Sequence, residues 1–280
     1  MSKDSAKEIQ EKVLTFYDQG GREQSRLLNG IGPLQFTRTK EVLQRFLPST
    51  SAVVVDIGGG PGVYSLWLAR LGYESHLVDL APLHIEQAKE ASANQKSHPI
   101  KSFHLGDSRN LDFEDNFADV VIIHGPLYHL QQKKERLDTL SEAKRILKPG
   151  GLLFSFYIPC YASTHVGLTN GWIEDEDYFK MVKLELSTGK HVRPKSWPRL
   201  FVDAYFHRPE EIEEELVEAG FIYKEKLAIE GQGWLAKDFD LVWNNPQKKD
   251  RLLELIRITE KDPVSIGLSP HIVAISEKRF

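Results

Sequence analysis

The chain has 280 residues, 41% hydrophobic and 27% charged, with a formal net charge of −4 at pH 7. That length suits one large α/β domain with insertions, and the mildly acidic balance lacks the basic surplus of an enzyme that grips nucleic-acid phosphates. MSKDSAKEIQ at the start has no apolar signal core, no run approaches the length of a membrane span, and the single cysteine, Cys160, excludes an intrachain disulfide; a cytoplasmic protein, monomer or homodimer, working without membrane or nucleic acid, is expected.

Ile9, Val13 and Phe16 recur at helical spacing and predict a helix over 5–17, and a second helical segment is predicted over 34–47, stopping at Pro48. Ala52–Ile57 is a nearly continuous apolar run, as in a parallel strand buried on both faces. Strands and helices then alternate: helix 63–71, strand His76–Val78, helix 82–94, strands Phe103–Leu105 and Asp119–Ile123, and helix 132–147. That helix stops at a Lys148-Pro149-Gly150-Gly151 turn, and strand Leu152–Phe156 follows. This rhythm predicts a parallel sheet with helices on both faces.

Residues 158–207 break the rhythm: they are rich in aromatics without a clean period. Within them Glu174-Asp175-Glu176-Asp177 reads as a solvated face or a helix start, and His165 and His191 are too isolated to suggest a metal site. Pro209 beside Glu210-Glu211 starts another helix and Gly220 ends it. Strands are predicted over 221–230 and 271–278, with a helix at 247–260 between them. The organisation expected is an N-terminal helical cap (1–48), a core (49–157), an insertion after strand five (158–207) and a C-terminal part (208–280) completing the same α/β domain.

The most informative stretch is Val54-Val55-Asp56-Ile57-Gly58-Gly59-Gly60-Pro61-Gly62, which ends a buried strand and opens a helix. Glycines there permit a tight turn and let a ligand sit against the main chain. Asp79 ends the next strand, at the roughly 20-residue distance where such folds place a ribose-binding acid, and Asp107 ends the third.

Taken together these motifs resemble the class I methyltransferases (type 11/25-like domain), whose first motif reads acidic-x-Gly-x-Gly-x-Gly and is matched by Asp56, Gly58, Gly60 and Gly62. The resemblance is strong over roughly residues 50–157 and weaker through 206–230. It implies a Rossmann-like, seven-stranded, mostly parallel α/β sheet with helices on both faces, N-terminal helices and a cap insertion after strand five. It implies S-adenosylmethionine as cofactor, with Asp79 on both ribose hydroxyls and Asp107 on the adenine amino group. Leu80 and Ser108 flank those acids, His124 and Gly125 contribute chiefly backbone, and Tyr17 closes over from the N-terminal segment.

Methyl transfer is an in-line displacement on a carbon already activated by sulfonium sulfur, so the protein's task is alignment and exclusion of water. After strand four, Tyr128 and His129 are the candidates for orienting the acceptor or removing its proton; the other reading of His129 is a packing or capping residue. His124 and Gly125 stand where enzymes that methylate planar amino groups carry an amide and a proline, so no amino-group acceptor is assigned. A small, partly apolar acceptor is expected between this loop and the aromatic insertion, with Tyr161, Trp172, Trp197 and Tyr205 as lining. The alternatives are an NAD-dependent oxidoreductase and a non-catalytic module that binds S-adenosylmethionine.

Overall fold

The computed structural model describes residues 14, 15, 17, 26–49 and 51–279. Of the helix expected over 5–17, only 14, 15 and 17 fall among the described residues, and they are helical. In chain order the elements are α1 (Gly32–Phe46), β1 (Val53–Ile57), α2 (Val63–Arg70), β2 (Glu74–Asp79), α3 (Pro82–Ala93), β3 (Ser102–Leu105), β4 (Ala118–Ile123) and a one-turn α4 (Pro126–His129). Then come α5 (Lys133–Ile146), β5 (Leu147–Tyr157), α6 (Ala162–Asn170), α7 (Glu176–Thr188), β6 (Lys190–His191), β7 (Ala204–Tyr205) and α8 (Pro209–Glu218). The chain finishes with β8 (Phe221–Ala228), α9 (Phe239–Trp243), α10 (Pro246–Thr259), α11 (Pro263–Leu268) and β9 (Ile272–Lys278).

Seven strands form one sheet in the order β3-β2-β1-β4-β5-β9-β8, the expected Rossmann-like architecture. β1 to β5 are mutually parallel, and β9 runs antiparallel to both β5 and β8. Strand order reverses between β1 and β4, and the crevice outside the carboxyl ends at such a point is where open α/β sheets bind ligands. Alternation along β1 assigns its side chains to two layers. Val55 and Ile57 pack with Leu140, Ala143 and Ile146 of α5 and with Ile212 and Leu216 of α8. Val54 packs with Val42 and Leu43 of α1 and Leu68 of α2.

Two local expectations change. Lys148–Gly151 is not a turn between helix and strand: β5 already begins at Leu147, paired with Ala118, and resumes at Leu152 opposite Val120. The four residues bulge out of the ladder opposite Asp119, whose carboxylate accepts from the Val53 amide at 2.8 Å and from Lys148 Nζ at 2.7 Å. The insertion is also more regular than its sequence suggests, because α6, α7 and the β6–β7 pair fall within it. Asp175 caps α7, its carboxylate accepting from the amides of Asp177 and Tyr178. The insertion leaves and rejoins the sheet at one point, where the Cys160 amide donates to His207 O at 2.9 Å and the His207 amide to Ile158 O at 2.8 Å. Among the described residues no helix is long and apolar enough to cross a membrane.

Candidate active site

One cleft runs along the carboxyl edge of β3, β2, β1 and β4, and every cofactor-site and catalytic candidate named from the sequence except Gly62 lines it. At its centre the loop after β1 is held down by the neighbouring strand: the amides of Gly58 and Gly59 donate to Val78 O at 2.8 and 3.2 Å. The three motif glycines serve three purposes. A Cβ on Gly58 would lie 2.5 Å from Pro126 Cδ and 2.8 Å from His124 O, so this position lets the β1 and β4 loops touch. A Cβ on Gly60 would meet nothing nearer than His84 Nδ1 at 3.9 Å; it would project into open cleft. A Cβ on Gly62 would meet Ala88, Ile100 and Leu77 at 3.1–3.3 Å. Gly62 is therefore a packing position between helix and strand rather than a ligand contact.

Asp56 is fully buried, and its Oδ2 accepts from Ser65 Oγ at 2.6 Å. Burial raises its pKa to about 6. Its Oδ1 has no partner among the described residues. Asp79 Oδ2 accepts from the Gly60 amide and Oδ1 from the Ala81 amide, both at 2.8 Å, with His84 Nδ1 a further 3.1 Å from Oδ1. An ionised carboxylate has about four acceptor directions; two go to backbone and a third to His84, which leaves one, on Oδ2, for a ribose hydroxyl. Leu80 lies on the same wall. At the end of β3, Asp107 accepts from Arg109, and Ser108 Oγ is 3.0 Å from Thr139 Oγ1 of α5.

Past β4 the chain turns at Gly125, whose φ of +130° suits glycine alone. The His124 ring is taken up by stacking. It stacks on Phe156 (centroids 4.2 Å, 6°) and Tyr64 (5.5 Å, 28°), which leaves its backbone to face the glycine loop. Burial holds its pKa well below the ordinary histidine value. Tyr128 is buried with Ile158, Cys160, Ala204 and Phe206 at the root of the insertion. His129 Nε2 lies 2.9 Å from Tyr17 Oη, and its ring stacks on Phe201 at 5.2 Å. Its Nδ1 is buried and has no partner among the described residues. Burial lowers the His129 pKa to about 4. Tyr17 also meets His84 edge-on at 5.1 Å, so it bridges the β2 and β4 sides of the cleft.

The expected aromatic lining is not found. None of Tyr161, Trp172, Trp197 and Tyr205 is among the described residues that line the cleft. Trp172 and Trp197 pack with Tyr178, Met181 and Val182 as a separate small core. Tyr205 lies under the Arg136 guanidinium at 3.8 Å, and Tyr161 packs at the root of the insertion. The insertion's aromatic contribution beside His129 is Phe201 instead. His84 and Arg109 also line the cleft and were missed in the sequence. The available signal was their spacing, five residues after Asp79 and two after Asp107.

Similarity to known proteins agrees with this geometry. Residues 55–155 match the family model described as a methyltransferase domain. An uncharacterised methyltransferase of Schizosaccharomyces pombe is 32% identical over 105 residues, covering 35% of this chain and 37% of that protein. A ubiquinone/menaquinone biosynthesis C-methyltransferase of a Ruegeria species is 31% identical over 108 residues (38% and 42%). An ATP synthase lysine N-methyltransferase of Xenopus laevis is 26% identical over 163 residues (57% and 69%). The chain thus spans well under half the length of the first two. Among solved structures, an S-adenosylmethionine-dependent methyltransferase of Methanosarcina mazei shares the fold with a TM-score of 0.59 at 20% identity, covering 85% of this chain and 97% of that one. The glycine loop and the two acids thus lie within residues 55–155, the part of the chain that matches a methyltransferase domain, on a seven-stranded fold shared with an S-adenosylmethionine-dependent methyltransferase.

Proposed function

We propose that this protein transfers the methyl group of S-adenosylmethionine to a small-molecule acceptor. The observation that carries the reading is the open space over Gly60, continuous in one cleft with Asp79 and Asp107 on one side and His129 on the other. The residues present fit the donor. Asp79 has one acceptor direction left, on Oδ2, for a ribose hydroxyl, with Leu80 beside it. Asp107 and Ser108 stand at the adenine end, and Gly58, Gly60, His124 and Gly125 offer backbone to the methionine end. Asp56 braces the loop through Ser65. When bound, S-adenosylmethionine supplies an electrophilic methyl carbon.

The protein's own contribution is to exclude water and align the acceptor. Tyr17 and His129 meet across the cleft, Phe201 backs His129, and Tyr128 anchors the turn that carries it. A histidine whose conjugate acid has a pKa of about 4 is a weak base. Its role in this reading is therefore orientation: neutral imidazole, held through Nε2 by Tyr17 and stacked on Phe201, forms a fixed wall for the acceptor. A net charge of −4 favours a small molecule over a nucleic acid. From the N-terminal segment Leu14, Tyr17, Arg26 and Leu27 cover the cleft, and the insertion reaches it through Phe201 against His129.

The test is release of S-adenosylhomocysteine from S-adenosylmethionine across a panel of small acceptors, with protein extracts and NAD binding as comparison arms. Turnover with a small molecule is expected. Turnover with protein alone, or tight NAD binding without S-adenosylmethionine binding, would overturn the reading.

A further inference from the structure

Arg109 clamps the carboxylate of Asp107. Its Nε donates to Oδ1 at 2.9 Å and its Nη2 to Oδ2 at 2.5 Å, while its own backbone amide donates to Oδ1 at 2.9 Å. The far side of the guanidinium is fixed as well, because Nη1 donates to Glu135 Oε1 at 2.6 Å from the first turn of α5. Asp107, Arg109 and Glu135 all line the cleft.

An ionised carboxylate has about four acceptor directions and no proton to give. Among the described residues, both directions on Oδ1 are filled, by Arg109 Nε and the Arg109 amide, and the side of Oδ2 that faces the fork is filled by Nη2 together with the longer branch of Nε at 3.2 Å. The direction on Oδ2 away from the fork remains. Burial by itself would raise the pKa of this carboxyl, but the hydrogen bonds from Arg109 outweigh it and hold the group below the usual carboxylate range. The bidentate fork also fixes the plane of the carboxylate, which a point-charge partner would not do.

We propose that Arg109 is a positioning residue for donor recognition: by locking Asp107 as an oriented acceptor with one open direction, it makes the site read the 6-amino group of the donor's purine and refuse a 6-oxo purine. The inference rests on the assignment of Asp107 to the adenine edge. A 6-amino group brings a proton to the open lone pair. A 6-oxo group brings a second acceptor, and a clamped carboxylate can neither rotate away nor protonate to accommodate it. Without the clamp it can do both.

The experiment is calorimetric titration of the wild-type chain and of Arg109→Gln, Arg109→Lys and Asp107→Asn with S-adenosylhomocysteine and with its 6-oxo analogue, S-inosylhomocysteine. Wild type should prefer the amino ligand by at least about 10-fold, the scale of one mismatched hydrogen bond. Asp107→Asn, whose amide both donates and accepts, should lose the preference. Arg109→Gln should bring it to within about threefold, and Arg109→Lys, which keeps the charge but not the fork, should erode it in the same direction and gives the reading if Arg109→Gln does not fold. If Asp107→Asn keeps the preference, the Asp107 assignment falls and takes the inference with it. If Asp107→Asn loses it while both Arg109 variants keep it, or if those variants weaken the two ligands equally, Asp107 stands and the role given to Arg109 is overturned.

Discussion

Asp79 is engaged twice over, once with the fold and once with the open cleft. Its oxygens hold the amides of Gly60 and Ala81 and the His84 ring, and the direction left on Oδ2 belongs to a side chain that lines the cleft. Asp79→Ala should therefore weaken S-adenosylhomocysteine binding by about 1.5–3 kcal/mol, the scale of charge-assisted hydrogen bonds. It should also lower the melting temperature, because two amides lose their acceptor. Calorimetric titration beside a thermal melt separates the effects, and unchanged affinity in a folded variant would remove the ribose assignment. His129 gives a prediction of a different kind. A proton-removing base would make His129→Ala slowest at neutral pH and recover at high pH, where solvent hydroxide substitutes. An orienting neutral imidazole instead predicts a loss of about 10-fold to 100-fold in kcat that is the same at pH 7 and pH 9, with donor affinity retained. A rate–pH profile of the variant that converges on wild type at high pH would restore the base.

At the scale of elements, the loop between β1 and α2 separates ligand space from packing. Gly60 has φ +56° and an unobstructed Cβ direction, so Gly60→Ala carries a left-handed backbone penalty of about 1–2 kcal/mol and little steric clash. Gly62 has φ +82° and a Cβ direction that meets Ala88 at 3.1 Å, so Gly62→Ala adds overpacking to the same penalty. Gly60→Ala should lose donor affinity with a modest drop in melting temperature, and Gly62→Ala should show the larger drop. The reverse order in paired melts and titrations would mean that the loop is misassigned. A second tie joins α5 to α8 beneath the same site. Arg136 and Glu215 pair at 2.5 Å with both side chains nearly inaccessible, and Arg136 Nη1 also donates to the carbonyls of Leu130 and Gln131, just past His129. Breaking a buried pair strands the partner's charge, so Glu215→Ala should lower unfolding free energy by about 3–5 kcal/mol in a denaturant titration.

For the whole molecule, buried histidines set the acid side of the stability profile. Burial lowers the pKa of His129 to about 4 and also lowers those of His124 and His207 from the ordinary 6.5. Below pH 6.5 the unfolded chain takes up protons that these folded histidines refuse, so stability falls with pH. Asp56 acts oppositely: its folded pKa of about 6 exceeds the unfolded 3.8, so it favours the folded state as pH drops through that interval. Three histidines outweigh one aspartate. Glu215 adds a second loss lower down: burial would raise its pKa, but His207 and Arg136 hold it at about 2 against 4.5 unfolded, so its contribution disappears as pH falls from 4.5 toward 2. The urea midpoint should be lower at pH 5 than at pH 7.5, and an equal or higher midpoint at pH 5 would contradict this balance.

Sequence alone determined the sheet core and the order of the site along it. Val53–Ile57 reads as a buried strand, the glycines after it turn, Asp79 closes β2 and Asp107 follows two residues past the end of β3, because helix and strand periods leave little freedom in where those strands end. The helices predicted at 34–47, 82–94 and 132–147 lie within two residues of α1, α3 and α5 for the same reason. The tertiary structure decided the mouth of the cleft. Tyr17 and His129 are 112 residues apart, and nothing local to either records their 2.9 Å contact. Phe201 rather than Trp172 or Trp197 reaches His129 because the two tryptophans pack with Tyr178 of α7, an arrangement that an aperiodic run of aromatics leaves open. Local pattern specifies periods and chain reversals. Which of several similar side chains meets a distant partner follows from how an inserted unit packs as a body, and only the folded chain fixes that.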